Sequence, residues 1–227
     1  MRPRRTDAPL KQRVWDVPTR LFHWTLVVLV ALSWWSAEYH KDDLHLYLGY
    51  GVLSLLIFRI GWGIFGSSTA RFISFVRGPA AVFTYIRDRF HWPVAGHAPL
   101  GALSVVALLV MLFVQVGTGL FALDEDGFSG GPLAPLVSIA TSDAATGLHE
   151  DLWNLLLALI VLHLAAILLY RLALGRNLLG PMITGKAELA PGVRPMRRGR
   201  WWVALLCLAA GIALTRWIIG GAPPFGT

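Results

Sequence analysis

Two histidines lie within one strongly apolar stretch, residues 147–170, where ionisable side chains are unusual. His149 and His163 are fourteen residues apart. On a helix this spacing separates them by about 21 Å along the axis and keeps them within about 40° of one face. Ionisable groups inside a membrane span are costly and usually functional, and neutral imidazole is a common ligand of metals and haem iron. The alternative is that each ring merely hydrogen-bonds a neighbouring helix.

The apolar runs that would position these histidines indicate a multi-span membrane protein. The chain has 227 residues, of which 56% are hydrophobic, and its mean hydropathy is +0.59, too apolar for a soluble domain. Runs of spanning length form helices in lipid, because a helix satisfies its own backbone hydrogen bonds. We therefore expect an all-α membrane protein with five spans. The runs are 21–37, 44–65, 100–123, 152–174 and 201–219.

The charge distribution predicts the orientation. Eighteen of the 20 basic residues lie before the first run, between the second and third, or between the fourth and fifth, counting the adjoining ends of the runs (Arg59 and Arg171). The positive-inside rule then places the N-terminus in the cytoplasm and the C-terminus in the periplasm. The other side carries two basic and nine acidic residues, a net charge of −7. The basic character thus reflects membrane topology, and we expect no nucleic-acid binding.

The chain divides into four segments on this topology. We expect a cytoplasmic N-terminal tail over 1–19, a four-span core over 20–174, a basic cytoplasmic connection over 175–200, and a fifth span with a short periplasmic tail over 201–227. An interfacial helix is expected at 79–90, with Val82, Phe83 and Ile86 on its apolar side. Residues 124–146 are expected to form a partly ordered outer loop.

Cysteine usage limits the kind of cofactor. Cys207 is the single cysteine, so covalent haem attachment through CxxCH and sites built on several thiolates are both excluded. Any metal or cofactor must be held by other ligands.

Four histidines sort into two pairs by their depth in the membrane. His23 and His163 lie towards the cytoplasm, whereas His45 and His149 lie towards the outside. Two pairs at two depths meet the requirement for two bis-imidazole b haems between facing helices of a bundle. Bis-histidine ligation leaves no open iron position, which favours electron transfer over oxygen chemistry. We therefore predict no catalytic residue.

Three further residues indicate that a small molecule besides haem binds at the cytoplasmic side. Arg59 lies deeper in its span than a charge should, so it either snorkels to the surface or pairs with a haem propionate or a quinone oxygen. His97 either relays protons to a quinone or is a plain interfacial residue. Because Arg20 adds another cation nearby, we expect a quinone site close to these three residues.

Several motifs resemble the bacterial cytochrome b-561 family, particularly the b-type cytochrome subunits of nickel–iron hydrogenases. They are RLFHW at 20–24, residues 44–50 followed by RIGWG at 59–63, GHAPLG at 96–101 and the spacing of His149 and His163. The resemblance covers about residues 14–186. It implies a four-helix di-haem core that moves electrons between quinone and a partner. It also implies that His23, His45, His149 and His163 ligate the two irons, and it leaves the role of the fifth helix open.

These expectations combine into an inner-membrane respiratory cytochrome with two b haems. It would connect the ubiquinone or menaquinone pool with a periplasmic c-type cytochrome or a hydrogenase-like dehydrogenase subunit, and it leaves open whether the chain itself is a quinone oxidoreductase. The acidic outer face favours a basic partner. One alternative is a superoxide:quinone oxidoreductase, whose anionic substrate the −7 face would repel. Another is a non-haem transporter or assembly protein.

Overall fold

Five long helices dominate the structure. A computed structural model of the protein describes residues 11–90, 92, 94–124, 130–189 and 192–224. Each long helix is long and apolar enough to cross a membrane, which confirms the prediction of a helical five-span membrane protein. The long helices are α1 (Val17–Glu38), α2 (Asp42–Phe65), α5 (Pro99–Gly119), α6 (Ile139–Ala173) and α8 (Trp201–Ile219). The short helices are α3 (Phe72–Phe75), α4 (Pro79–Arg87) and α7 (Leu179–Thr184).

Local signals explain how the first two helices begin. The Asp16 carboxylate caps α1 by accepting a hydrogen bond from the backbone N–H of Thr19 at 2.7 Å, and Pro18 occupies the first turn. The first turn of α2 carries Asp42 and Asp43, whose charges suit the positive end of a helix dipole. A tight turn between the two helices makes them antiparallel neighbours.

The four helices α1, α2, α5 and α6 form two helical hairpins. Helix α1 packs along α2 and α5 packs along α6, whereas the contact between hairpins is sparser and runs through α2 and α5. One apolar cluster joins the hairpins at mid-depth, with Phe22, Leu56, Leu109 and Leu156 among its buried members. The two hairpins therefore contact each other but are not closely packed together along their whole length.

Helix α8 packs along α2 through small residues. A Cβ added to Gly211 would lie 2.5 Å from the carbonyl oxygen of Ser54, and one added to Gly61 would lie 2.8 Å from Sγ of Cys207. The Ser54 hydroxyl also donates a hydrogen bond to Thr215 at 2.9 Å. Small residues and polar contacts of this kind are typical of helix pairs in membranes.

The two ends of the helix bundle differ in charge. We call the end near Arg20, Arg71 and Arg200 the basic end, and the end near Glu38, Asp42 and Glu150 the acidic end. At the basic end a short strand β1 (Lys11–Arg13) pairs antiparallel with β2 (Lys186–Glu188). This pairing was not predicted from the sequence.

The structure corrects two predicted boundaries. Helix α6 begins at Ile139, so the second half of the predicted loop at 124–146 is helical instead. Ser138 makes this start possible, because its side chain accepts a hydrogen bond from the backbone N–H of Thr141. Helix α5 ends at Gly119 rather than at residue 123.

The predicted interfacial helix exists as α4, which ends at Arg87 rather than at residue 90, and its apolar Phe83 and Ile86 are exposed, as a side that contacts lipid would be. Tyr85 is the buried residue, only 1% exposed. The Tyr85 hydroxyl hydrogen-bonds that of Tyr170 at 2.8 Å, and burial with this bond raises the pKa of Tyr85. The hydrogen bond to Tyr170 of α6 thus accounts for the burial of Tyr85 on α4.

Parts of the predicted segments lie outside the described residues. They are residues 1–10 of the N-terminal tail, 125–129 of the outer loop, 190–191 of the basic connection and 225–227 of the final tail.

Candidate haem sites

His45 and His149 face each other near the acidic end. Their ring centroids are 5.9 Å apart and the rings are perpendicular, at an interplanar angle of 90°. Bonds from a metal to imidazole nitrogen are about 2 Å long, so two rings on opposite sides of one metal have centroids about 6 Å apart. The pair therefore has the separation that one shared metal requires.

Backbone carbonyls fix the tautomers of this pair. Nδ1 of His45 lies 2.9 Å from the carbonyl oxygen of Ser33, and Nδ1 of His149 lies 2.8 Å from that of Gln115. A carbonyl only accepts, so each Nδ1 carries the proton and donates it. Each Nε2 is left with a free lone pair, the state in which imidazole binds a metal.

Helix α5 leaves room for the ring of His149. A Cβ added to Gly119 would lie 2.9 Å from Cε1 of that ring, closer than such contacts normally occur. One turn further along α6, Trp153 stacks on Trp34 of α1 at 6.4 Å with an interplanar angle of 12°. Both contacts restrict how α6 can present His149.

The second histidine pair, near the basic end, is less fixed. Nδ1 of His163 lies 3.1 Å from the hydroxyl oxygen of Ser104 on α5. Nδ1 of His23 is buried and has no hydrogen-bond partner among the described residues, and its ring packs edge-on against Trp24 at 5.0 Å. The rings of His23 and His163 are close enough for their charges to interact. The two histidines thus lie near each other at the basic end.

Arg59 is a buried cation. Its side chain is 3% exposed, so the alternative that it snorkels to the surface is wrong. Its guanidinium carbon lies 4.5 Å from the centre of the Phe72 ring, a cation–π contact. Its atom Nη1 has no hydrogen-bond partner among the described residues, and no described carboxylate forms a salt bridge with it. Among the described residues the guanidinium thus has no direct ion pair, although the Asp16 carboxylate is near enough to interact with its charge.

His97 lies between two aromatic rings next to this cation. The ring centroids of Trp15 and Phe75 are 4.5 and 4.6 Å from that of His97. Burial lowers the pKa of His97 to about 3, and the charges of Arg59, His163 and His23 lower it as well. His97 is therefore neutral at physiological pH, and its buried Nδ1 has no hydrogen-bond partner among the described residues.

Arg20 lines one cavity together with Trp15, the residue whose ring contacts that of His97. Its Nη1 donates a hydrogen bond to the carbonyl oxygen of Ile183, and Trp24 donates to that of Met182 at 3.2 Å. These two bonds attach α7 to α1. Arg20 thus borders the His97 region without sharing the rings that surround Arg59.

Sequence reasoning missed the residues that hold the histidines. Ser104 and Gln115 could have been noticed as polar residues inside a strongly apolar run. The carbonyl groups that orient His45 and His149 leave no trace in the sequence, because every residue has one. Gly119 is recognisable only once its neighbour is known.

A family profile shows which class of membrane protein this chain belongs to. The profile of the prokaryotic cytochrome b561 family matches residues 14–185, about three quarters of the chain. The chain belongs to the prokaryotic cytochrome b561 family. No curated protein and no solved structure matches it.

Membership makes this chain a membrane b-type cytochrome of electron transfer, from a family that binds haem b. The expectation of a non-haem transporter or assembly protein is therefore wrong. No three histidine, cysteine or carboxylate side chains cluster to hold a bare metal ion in the part of the chain that is described. The donor set that fits haem is instead the facing pair of neutral imidazoles, because the porphyrin supplies the other four ligands.

Proposed function

We propose that this cytochrome b561 carries electrons through the bilayer on two b haems. His45 and His149 would hold the haem near the acidic end, and His23 and His163 would hold the other near the basic end. The observation that carries the proposal is the pair of facing imidazoles 5.9 Å apart, each with its Nδ1 proton committed to a carbonyl. Haem supplies the reversible one-electron step, and the protein supplies the axial nitrogens and their orientation.

The basic end would face the cytoplasm of a bacterial inner membrane. The positive-inside rule supports this orientation, with the N-terminus cytoplasmic and the C-terminus periplasmic. The four-helix core would then be 20–174, and α8 would support α2 from outside that core.

Arg59 would neutralise an acidic group of the cofactor at the basic end. Its guanidinium is 3% exposed and lacks a carboxylate partner among the described residues, so a haem propionate would satisfy both its charge and its free Nη1. A carboxylate that accepts hydrogen bonds from two N–H groups of one guanidinium is held strongly and in a fixed orientation.

A quinone would react at the same end, near His97, Arg59 and Arg20. Trp15 and Phe75 offer flat apolar faces beside His97, which suit a quinone ring. The neutral ring of His97 can hydrogen-bond a quinone oxygen and pass on a proton. Ubiquinone and menaquinone share the chemistry that this site would recognise.

Removing the proton carrier tests the quinone site. In His97→Gln the side chain keeps polar atoms but cannot exchange protons near neutral pH, so we expect both haems to remain while quinone reduction slows at least about tenfold. The matched control is His40→Gln, which alters an exposed histidine at the acidic end. Unchanged quinone kinetics in His97→Gln would contradict the assignment.

The periplasmic partner would be a redox protein with a basic surface. Glu38, Asp42, Asp43, Glu150 and Asp151 are all exposed at the acidic end, close to His45 and His149. Such a face steers cations and basic proteins towards the nearer haem. A small c-type cytochrome fits this description, and a hydrogenase-like dehydrogenase subunit is the other candidate.

A further inference from the structure

We propose that a cavity at the basic end binds the phosphodiester of an anionic phospholipid. The cavity measures about 270 Å³ and lies between the first turn of α1, Trp62 of α2, the β1–β2 pair and the start of α8. It therefore lies where two spans leave the membrane. The cavity shares Arg20 and Trp15 with the proposed quinone site, but bound lipid can be counted whether or not the haem and quinone assignments hold.

The lining of the cavity is strongly positive. It contains the side chains of Arg13, Arg20, Lys186 and Arg198, against the single carboxylate of Asp16. None of these four cations forms a salt bridge within the described residues. An anion is thus the group that the cavity lacks.

The carboxylate of Asp16 is already engaged. One of its oxygens accepts from the backbone N–H of Thr19 at 2.7 Å, and the other accepts from the indole N–H of Trp62 at 3.2 Å. It therefore serves the helix start and the Trp62 ring and cannot turn to the cations without giving up these bonds. The positive charge of the cavity stays uncompensated.

Two details of the lining indicate an external anion. Arg13 and Lys186 are direct partners across the β1–β2 pair, and like charges in this position destabilise an antiparallel pair unless something neutralises them. The Nε of Arg20 is buried and has no hydrogen-bond partner among the described residues. A phosphate accepts several such donors at once.

The position of the cavity favours a lipid as the source of the phosphate. Trp15, Trp62 and Trp201 line it, and tryptophan is enriched at the level of lipid headgroups. Val17 and Trp201 are 54% and 73% exposed on the apolar helix starts, so acyl chains could lie against them while the headgroup enters the cavity. Basic pockets between spans on the cytoplasmic side bind anionic headgroups in this way.

The test compares lipid affinity between two charge-matched variants. Phosphatidylglycerol is titrated into the full-length haem-loaded protein in neutral detergent, and bound lipid is counted by native mass spectrometry. In Lys186→Gln/Arg198→Gln we expect the apparent Kd to rise about thirtyfold, since each cation near a headgroup contributes about fivefold. The control, Arg171→Gln/Arg194→Gln, removes two exposed cations outside the cavity and should bind like the unmodified protein.

Three results would overturn the proposal. Equal loss of affinity in both variants would mean that the surface attracts lipid only by its overall charge. Equal affinity for phosphatidylglycerol and neutral phosphatidylcholine would mean that no anion is recognised. Full competition by inorganic phosphate at constant ionic strength would mean that the cavity takes a free anion and not a lipid.

Discussion

Gln115 holds His149 from two sides. Its carbonyl oxygen accepts the Nδ1 proton of His149 at 2.8 Å, and its side-chain amide donates to the backbone carbonyl of His149 at 2.7 Å. Both the ring and the backbone of one predicted iron ligand on α6 are thus positioned by a single residue of α5. A hydrogen bond to Nδ1 makes an imidazole a better electron donor to its metal.

The space in front of this ring should be essential to the haem near the acidic end. In Gly119→Ala the new Cβ would lie 2.9 Å from Cε1 of His149, so the ring must move. We expect lower occupancy of that haem or a shifted midpoint potential, with a stability cost of about 1–3 kcal/mol. Haem content and a redox titration measure this.

Gly117→Ala is the matched control, because a Cβ at Gly117 meets no atom within 4 Å on the same helix. It should leave haem content and both potentials unchanged. Equal behaviour of the two variants would show that the close approach at Gly119 does not matter.

The hydrogen bond between Ser104 and His163 should tune the haem near the basic end alone. When Nε2 of His163 binds iron, Nδ1 carries the proton and donates to the Ser104 hydroxyl, 3.1 Å away. Its loss in Ser104→Ala makes the ligand less electron-rich, so the potential should rise by up to about 60 mV. Ser54→Ala, which removes a hydrogen bond to Thr215 on α8, should shift neither potential. A shift of the other haem in Ser104→Ala would contradict the pairing.

The buried charge of Arg59 should favour the reduced state of the same haem. Reduction lowers the positive charge of the iron, so a nearby cation stabilises it. In Arg59→Leu we expect the potential to fall by about 40 mV, which corresponds to about 1 kcal/mol. Arg59→Lys keeps the charge and should recover most of the shift. If Arg59→Leu and Arg59→Lys lowered the potential equally, Arg59 would act through its packing against Phe72 and not through its charge.

The helices could be predicted from the sequence, but the details that make the sites could not. Apolar length predicted five spans, and the run at 201–219 matches α8 at both ends. Helix α6 starts well before its apolar run because residues 140–146 are small or polar. Hydropathy therefore does not detect this first part of the helix, although Ser138 caps it. The β1–β2 pair joins segments 175 residues apart, and three-residue strands carry no periodic signal.

The candidate ligands could be listed from the sequence because histidines are rare in apolar runs. Depth alone paired His45 with His149, and the structure brings these two rings together. Depth in the membrane does not predict the orientation of each ring, because that orientation depends on the backbone carbonyls of Ser33 and Gln115. The burial of Arg59 could not be predicted from the sequence either, because snorkelling depends on what packs around the side chain.

The acidic end should control the rate of reaction with a basic partner. With a small basic cytochrome c, in its reduced form, as a probe, we expect the second-order rate constant to fall about tenfold when salt screens the surface. Glu150→Gln/Asp151→Asn should lower the rate at low salt and flatten its salt dependence. Asp88→Asn/Glu188→Gln removes two carboxylates at the basic end and should react like the unmodified protein. A rate independent of salt would exclude electrostatic steering.

The number of haems per chain tests the account most directly. A reduced-minus-oxidised spectrum of the purified protein, with a pyridine haemochrome assay, measures it. We predict two b haems per chain, and one of them should be lost in His149→Ala. A single haem in the unmodified protein would mean that one histidine pair is misassigned, and no haem would contradict the proposal altogether.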